Sequence, residues 1–197
     1  YPVLINDIDS MMSRHKYYTS KSYIERMLEF YPGNTKLIDL YKICENNTAS
    51  DLIPYIYPVE HLSIRPLLSD ESYKFGADGY SSNAEDLLIT SDEFRKTLEE
   101  LYKKNYILIN ADSLLNNEGK RNPIMVPQGK KPLIISVEGL NYYASRKRTG
   151  NSIQLSVDEY GNILSTYKNE EGVFVTDDNG EAIGILDRFV DENPDFS

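Results

Sequence analysis

Apolar residues recur with helical spacing along the first 58 residues of the chain. Ser22 with Glu25 fits a capping box that would begin a helix, and Pro32-Gly33 would end it. The apolar stripe of this helix consists of Ile24, Met27, Leu28 and Tyr31. Asn34 can cap a second helix, whose stripe consists of Leu37, Leu40, Tyr41 and Cys44. The pattern therefore predicts an N-terminal helical hairpin, followed by a linker or short helix over residues 51–59.

From residue 60 the pattern changes to short apolar runs separated by one strong helix signal. The runs at 61–68, 106–109 and 132–137 indicate buried strands. Between the first two, Thr90 and Glu93 form a capping box before an apolar stripe that includes Phe94 and Leu98. Strand, helix, strand, connection and strand in this order is typical of parallel β/α units.

Residues 152–176 break that order with three short segments of alternating apolar and polar positions. Tyr160-Gly161-Asn162 lies between the first two and predicts a turn, so the region reads as an inserted antiparallel β-meander. Residues 182–192 then return to helical spacing, and Asn193-Pro194 ends that helix. The prediction is an α/β chain with a helical region at residues 1–58 and a β/α region with the inserted meander at residues 59–197.

Composition narrows the classes of partner and site. Acidic residues number 31 against 21 basic ones, a net charge of −10, which argues against nucleic acid or an anionic membrane surface as the main partner. No apolar run reaches the ~18–20 residues of a membrane span, and no signal peptide is evident. The start at Tyr1-Pro2 without Met indicates a trimmed product or part of a longer chain. One cysteine and two histidines exclude a Cys-rich zinc site and a three-histidine metal site within one chain.

Glu138 is the strongest candidate for chemistry. It follows the third apolar strand directly, and carboxyl ends of parallel strands are where β/α enzymes place catalytic groups. Glu138 could be a general base or a polar substrate contact, with Asn141 and Tyr142 close by in sequence as substrate contacts. The alternative interpretation is a solvated glutamate at a turn that Gly139 makes.

His61 and Arg65 are candidate binding residues on the first strand. Two strand positions separated by an even number of residues point to the same face, so this pair could bind an anion or a sugar oxygen. The alternative is a histidine that only satisfies its own hydrogen bonds. The segment 177–181 lacks the spacing of an EF-hand and is read as a hairpin turn. The sequence contains no phosphate loop, dinucleotide fingerprint or Ser-His-Asp pattern.

Three stretches resemble the start of a polysaccharide deacetylase (NodB-homology) domain: residues 61–68, residues 89–109 and residues 129–143, with residues 183–196 similar to a later helix of that family. The resemblance implies a partial β/α (NodB-like) barrel. Members of the family are metal-dependent de-N-acetylases in which one Asp of a pair is the base and the next binds a divalent metal together with two histidines of an H-x-x-x-H motif. Here Glu138 and Gly139 stand at the paired positions, and no H-x-x-x-H occurs.

These departures define the functional expectation. Gly139 has no side chain with which to bind a metal, so we expect no cofactor in this chain, and a divalent metal such as zinc only in an active full-length protein. The chain is then either the front part of a longer enzyme or a degenerate module. We expect an inactive deacetylase-like protein of the bacterial cell surface that binds cell-wall or surface polysaccharide. The alternative is a non-enzymatic interaction module whose tyrosine-rich helical region binds a protein partner.

Overall fold

The computed structural model describes residues 2–13, 16–48, 52–69, 88–140, 142, 150–169 and 171–197. In these ranges the chain is mixed α/β, with five α-helices and eight short strands in three small sheets. The α/β class predicted from sequence is confirmed. The sheets of the described residues do not establish the partial barrel, which therefore stays a proposal.

The chain divides into two compact units, each built from separated segments. The first contains Tyr1–Pro58, Ile107–Pro132 and Asp191–Ser197, and the second contains Val59–Tyr106 and Leu133–Val190. The division predicted from sequence, 1–58 and 59–197, is contiguous and stays a prediction.

Three helices belong to the first unit: α1 (Pro2–Ser13), α2 (Tyr17–Phe30) and α3 (Thr35–Asn47). Their buried core consists of Ile5, Ile8, Ile24, Met27, Leu37 and Cys44. Asn34 caps α3 as predicted, because its side chain accepts the Leu37 N–H at 3.1 Å. The capping box predicted at Ser22 is wrong, because α2 begins at Tyr17. Ser20 is buried, so the packed face of α2 extends N-terminal to Ser22.

A two-stranded ribbon also belongs to the first unit. Strand β1 (Leu52–Pro54) pairs antiparallel with β4 (Met125–Pro127). The prediction of a linker or short helix over residues 51–59 is therefore wrong for Leu52–Pro54, which form β1. The partner strand lies more than seventy residues away, so no local pattern could reveal the pairing.

A three-stranded sheet contains the parallel pairing that the sequence predicts. Strand β2 (Glu60–Ile64) pairs in parallel with β5 (Lys131–Val137), and the strand order of this sheet is β2–β5–β3, where β3 is Tyr106–Leu108. Helix α4 (Ser91–Lys103) has the complete capping box of Thr90 and Glu93. Its apolar side contributes Phe94 and Leu98, both fully buried.

An antiparallel meander and a helix complete the second unit. Strands β6 (Gln154–Val157), β7 (Ile163–Lys168) and β8 (Phe174–Asp177) pair in sequence order, as predicted. Helix α5 (Ala182–Glu192) has the predicted bounds. A Cβ at Gly184 would lie 2.8 Å from the Ile163 carbonyl oxygen, so glycine permits α5 to approach the start of β7.

Candidate functional site

Two of the predicted site residues, His61 near the start of β2 and Glu138 just after β5, lie on the same face of this strand pair. In the parallel register Ser63 lies opposite Ser136 and Ile64 opposite Val137. Side chains alternate between the faces of a strand, so His61 and Ser63 share a face with Ser136 and Glu138. The Glu138 N–H donates to the Ile64 carbonyl at 2.7 Å, which continues the pairing one residue past β5 and fixes the glutamate backbone.

Hydrogen bonds join these four side chains into one line, here called the polar row: His61, Ser136, Ser63 and Glu138. His61 Nε2 lies 2.8 Å from Ser136 Oγ. Ser136 Oγ donates to Ser63 Oγ at 3.4 Å, and Ser63 Oγ donates to Glu138 Oε1 at 2.6 Å. The last bond has the short length of a hydroxyl donating to a carboxylate. The hydroxyl dipoles therefore point along the row toward Glu138.

The polar row is open to solvent. His61, Ser63 and Glu138 are exposed, and Ser136 is half-buried. Its groups offer hydroxyl donors and acceptors, one carboxylate and one imidazole. This set can hydrogen-bond the hydroxyl and amide groups of a saccharide, accept a proton at Glu138 or His61, or activate a serine hydroxyl.

Of the other predicted site residues, Arg65 and Tyr142 make no hydrogen bond to the polar row within the part of the chain that the structure describes. Arg65 lies beyond the end of β2 and is exposed, and no hydrogen bond between described residues links it to the row. Asn141 lies outside the described residues. Tyr142 is half-buried, and its hydroxyl is buried without a partner in the described structure. Sequence spacing alone placed Asn141 and Tyr142 near Glu138, and Arg65 on the face of His61.

Tyr142 lies within electrostatic range of Glu181, a residue that the sequence analysis missed. Burial and then the Glu181 charge raise the pKa of the Tyr142 hydroxyl. Glu181 is 1% exposed and immediately precedes α5. Oε1 accepts the Ala182 N–H at 2.8 Å, whereas Oε2 is buried without a hydrogen-bond partner among the described atoms. Burial raises the pKa of the Glu181 carboxyl, against the lowering effect of the Ala182 and Leu67 N–H groups.

A polar network fixes the backbone beside Glu181. The Gly180 carbonyl accepts Ser69 Oγ at 2.6 Å and Ser152 Oγ at 3.0 Å. Asn151 Nδ2 donates to the Leu67 carbonyl at 2.8 Å. These bonds connect the segment after β2 with the start of α5, so Glu181 is held in place by groups distant in sequence. In the sequence, Glu181 stands directly before an apolar helix, and this position was its only signal. The preceding residues, Asp177–Gly180, have a turn-like composition, so Glu181 was read as part of that turn.

The described residues contain no group of three histidine, cysteine, aspartate or glutamate side chains placed to hold a metal ion. Gly139, at the position where the family resemblance expects the metal-binding aspartate, has φ +65°, a left-handed turn conformation that favours glycine.

No protein-family model, curated protein or solved structure matches the chain. Among the helices that the structure describes, none has the length and apolar character to cross a bilayer.

Proposed function

We propose that the chain is a polysaccharide deacetylase-like, carbohydrate-binding protein of the bacterial cell surface, and that on its own it does not perform metal-dependent de-N-acetylation. In this proposal β2, α4, β3 and β5 are the first part of a NodB-like barrel that carries the meander as an insertion. The observation that supports it best is the polar row, since it runs along two parallel strands and ends on Glu138 at the carboxyl end of β5.

The polar row suits a saccharide because its members alternate donors and acceptors along a line. A pyranose presents several hydroxyl groups, each of which both donates and accepts. Glu138 keeps Oε2 available while Oε1 is bound to Ser63, and the exposed His61 ring can offer its second nitrogen. Arg65, which follows the same strand, would supply a further donor at the rim.

The proposal of inactivity in de-N-acetylation comes from the residue types available. That reaction requires a metal-bound water, and the chain has two histidines and a glycine at the expected aspartate position. A longer protein that supplies an H-x-x-x-H motif would place Glu138 as the base beside a complete metal site. In that case the chain is the front part of an enzyme.

Titration with chitooligosaccharides tests the binding proposal. Chemical shifts of backbone amides are followed in the wild-type chain, in Glu138→Gln and in the control Glu159→Gln, which changes an exposed glutamate of the β6–β7 turn. We expect binding that maps to residues 61–65 and 136–140 and weakens about tenfold or more in Glu138→Gln, because a charged hydrogen bond contributes about 1.5–3 kcal/mol. Absence of binding, or equal binding by both variants, would contradict the proposal.

The inactivity proposal has its own measurement. Acetate release from the same N-acetylated oligomers is followed with and without added zinc. We expect none above the rate of a protein-free blank. Zinc-dependent release by the chain alone would show that these residues assemble a catalytic metal site.

An exposed aromatic patch supports the second candidate, a protein-interaction module. Phe30 is 78% exposed and Tyr31 is 47% exposed where α2 ends. Large aromatic side chains are enriched at protein interfaces, so this end of the helical region suits a protein partner. Phe30→Ser should leave oligosaccharide binding unchanged and weaken self-association measured by sedimentation. If Phe30→Ser sediments like the wild-type chain, Phe30 does not mediate self-association.

A further inference from the structure

We propose that Ser136 is a nucleophile activated by His61 and that the polar row accepts acyl groups from O-acyl esters, in particular O-acetylated saccharides. The saccharide part of the proposal rests on the proposed function. The nucleophile and base rest on the Ser136–His61 contact alone.

The contact has the distance of an activated serine, and the reaction requires the Ser136 hydroxyl to turn its proton from Ser63, to which it donates at 3.4 Å, toward His61 Nε2. His61 Nε2 and Ser136 Oγ are 2.8 Å apart, within the ~2.6–3.2 Å that a nucleophile and its general base require. Both residues lie on paired strands, and Ser136 is the penultimate residue of β5. Strand pairing holds the two side chains together before any substrate arrives, which reduces the entropy lost on reaching the transition state.

Ser63 and Glu138 support this pair from the other side. Ser63 Oγ lies 3.4 Å from Ser136 Oγ and donates to Glu138 at 2.6 Å. When His61 accepts the Ser136 proton it becomes a cation, and Glu138 supplies a negative charge at the opposite end of the same row. Ser63 also keeps the Glu138 carboxylate turned toward the row. We assign Ser63 and Glu138 as positioning residues for this reaction.

The chemistry requires no co-reactant except water. His61 Nε2 takes the Oγ proton while Oγ attacks the ester carbonyl, and the C–O bond to the saccharide breaks as His61 returns the proton to the leaving alkoxide. The product is an acetyl ester of Ser136 and a free saccharide hydroxyl. A water molecule, deprotonated by His61, then attacks the acetyl-serine, which releases acetate and restores Ser136. An ester is the expected substrate because an alkoxide leaves more readily than an amine.

Access favours this assignment. Ser136 is half-buried and His61 is exposed, so an ester can approach Oγ from the solvent side while the apolar face of the sheet packs inward. The residues on that inward face include Ile64 and Leu133, which are 8% and 2% exposed. The serine is therefore both fixed and reachable.

Covalent labelling tests the assignment. The full chain is incubated with a fluorophosphonate and, separately, with p-nitrophenyl acetate, and the modified residue is located by mass spectrometry of peptides. We expect one adduct, on Ser136, that is absent in Ser136→Ala. His61→Gln should lower the labelling rate about 10²–10⁴-fold, because it removes the general base. The matched control Ser22→Ala changes an exposed serine of α2 and should label at the wild-type rate.

A role of His61 in folding alone would give a different result. His61→Gln retains a side chain that can hydrogen-bond Ser136, so circular dichroism should show wild-type folding while labelling falls. Labelling of other residues in place of Ser136, or equal rates in wild type and His61→Gln, would overturn the proposal.

The outcome separates this inference from the proposed function. If Ser136 is labelled but the chain binds no oligosaccharide, the assignment of the nucleophile stands and the carbohydrate function is rejected. If the chain binds oligosaccharide but Ser136 is not labelled, the carbohydrate function stands and the assignment of the nucleophile is rejected.

Discussion

Replacement of Glu181 by glutamine should stabilise the chain at neutral pH and have little effect near pH 4. Glu181 is 1% exposed, and its Oε2 has no hydrogen-bond partner among the described atoms. Glutamine keeps an acceptor oxygen for the Ala182 N–H but cannot ionise. The substitution therefore removes the penalty of a buried charge while it keeps the size and shape of the side chain.

The direction of the pH effect follows from the pKa of Glu181. Burial raises this pKa in the folded state above its ordinary value of 4.5. In the pH range between the unfolded and folded pKa values, the folded chain binds a proton that the unfolded chain has released, so stability decreases as pH rises. Each pKa unit of difference corresponds to about 1.4 kcal/mol of lost stability. Above the folded pKa the loss is complete and constant.

Two effects oppose this penalty. Glu181 precedes α5, where the helix dipole favours a negative charge by about 0.3–1 kcal/mol, and backbone N–H groups of Ala182 and Leu67 favour the charged form. Burial is the largest cause of the shift, so the penalty exceeds these gains. We expect Glu181→Gln to be more stable than wild type at pH 7, by less than the full charge penalty, because the buried amide nitrogen takes the place of Oε2 without an acceptor among the described atoms.

Urea unfolding followed by circular dichroism measures the effect at several pH values from 4 to 8. The control Glu159→Gln removes an exposed carboxylate from the same unit and should remain within about 0.5 kcal/mol of wild type throughout. The difference between Glu181→Gln and wild type should grow with pH and then level off. A constant difference, or a destabilised variant at pH 7, would refute the conclusion that burial penalises the charged form of this carboxyl.

Substitutions at three positions of the second unit, Gly184, Thr90 and Phe94, test its packing and helix capping by urea unfolding. Gly184→Ala should destabilise by about 1–3 kcal/mol, because its Cβ would lie 2.8 Å from the Ile163 carbonyl oxygen; wild-type stability would show that α5 can move away from β7. Thr90→Ala should lose about 1 kcal/mol with the capping box, and Thr90→Ser should recover most of it, a result that an unimportant cap would not give. Phe94→Ala should lose about 3–5 kcal/mol because Phe94 is fully buried, whereas Phe30→Ala at 78% exposure should change little, and similar losses would contradict the assigned burial.

Elements with local signals could be predicted from the sequence. The capping box of α4 needs only Thr90 and Glu93, and both of its hydrogen bonds are present, at 3.1 and 2.8 Å. The bounds of α5 follow from an apolar stripe and the proline after it. Ser22 shows the limit of this reasoning. Its local capping pattern predicts a helix start at Ser22, but α2 begins at Tyr17 because an additional helical turn is buried. Tertiary burial decides where a helix begins when the two signals compete.

The candidate site was predictable only in part, since its members come from different strands. His61 and Glu138 could be proposed from their own strands. Ser63 and Ser136 look like ordinary polar positions until the register sets them opposite one another. Glu181 could not be proposed at all, because its burial depends on packing against a segment more than a hundred residues earlier in the chain, near Leu67.

The register that forms the polar row is itself fixed by the opposite face of the sheet. Leu62 and Ile64 of β2 share that face with Leu133, Ile135 and Val137 of β5. A shift of β5 by one residue would bring the polar face inward and expose these apolar side chains, at a cost of about 1.5–3 kcal/mol for each fully buried one, such as Leu133, and less for the half-buried ones. The same alternation therefore specifies both faces: burial of the apolar residues determines the pairing, and the pairing brings His61 to Ser136 and Ser63 to Glu138. Variants that alter the row without touching the apolar face should change its chemistry and leave the strand pairing intact.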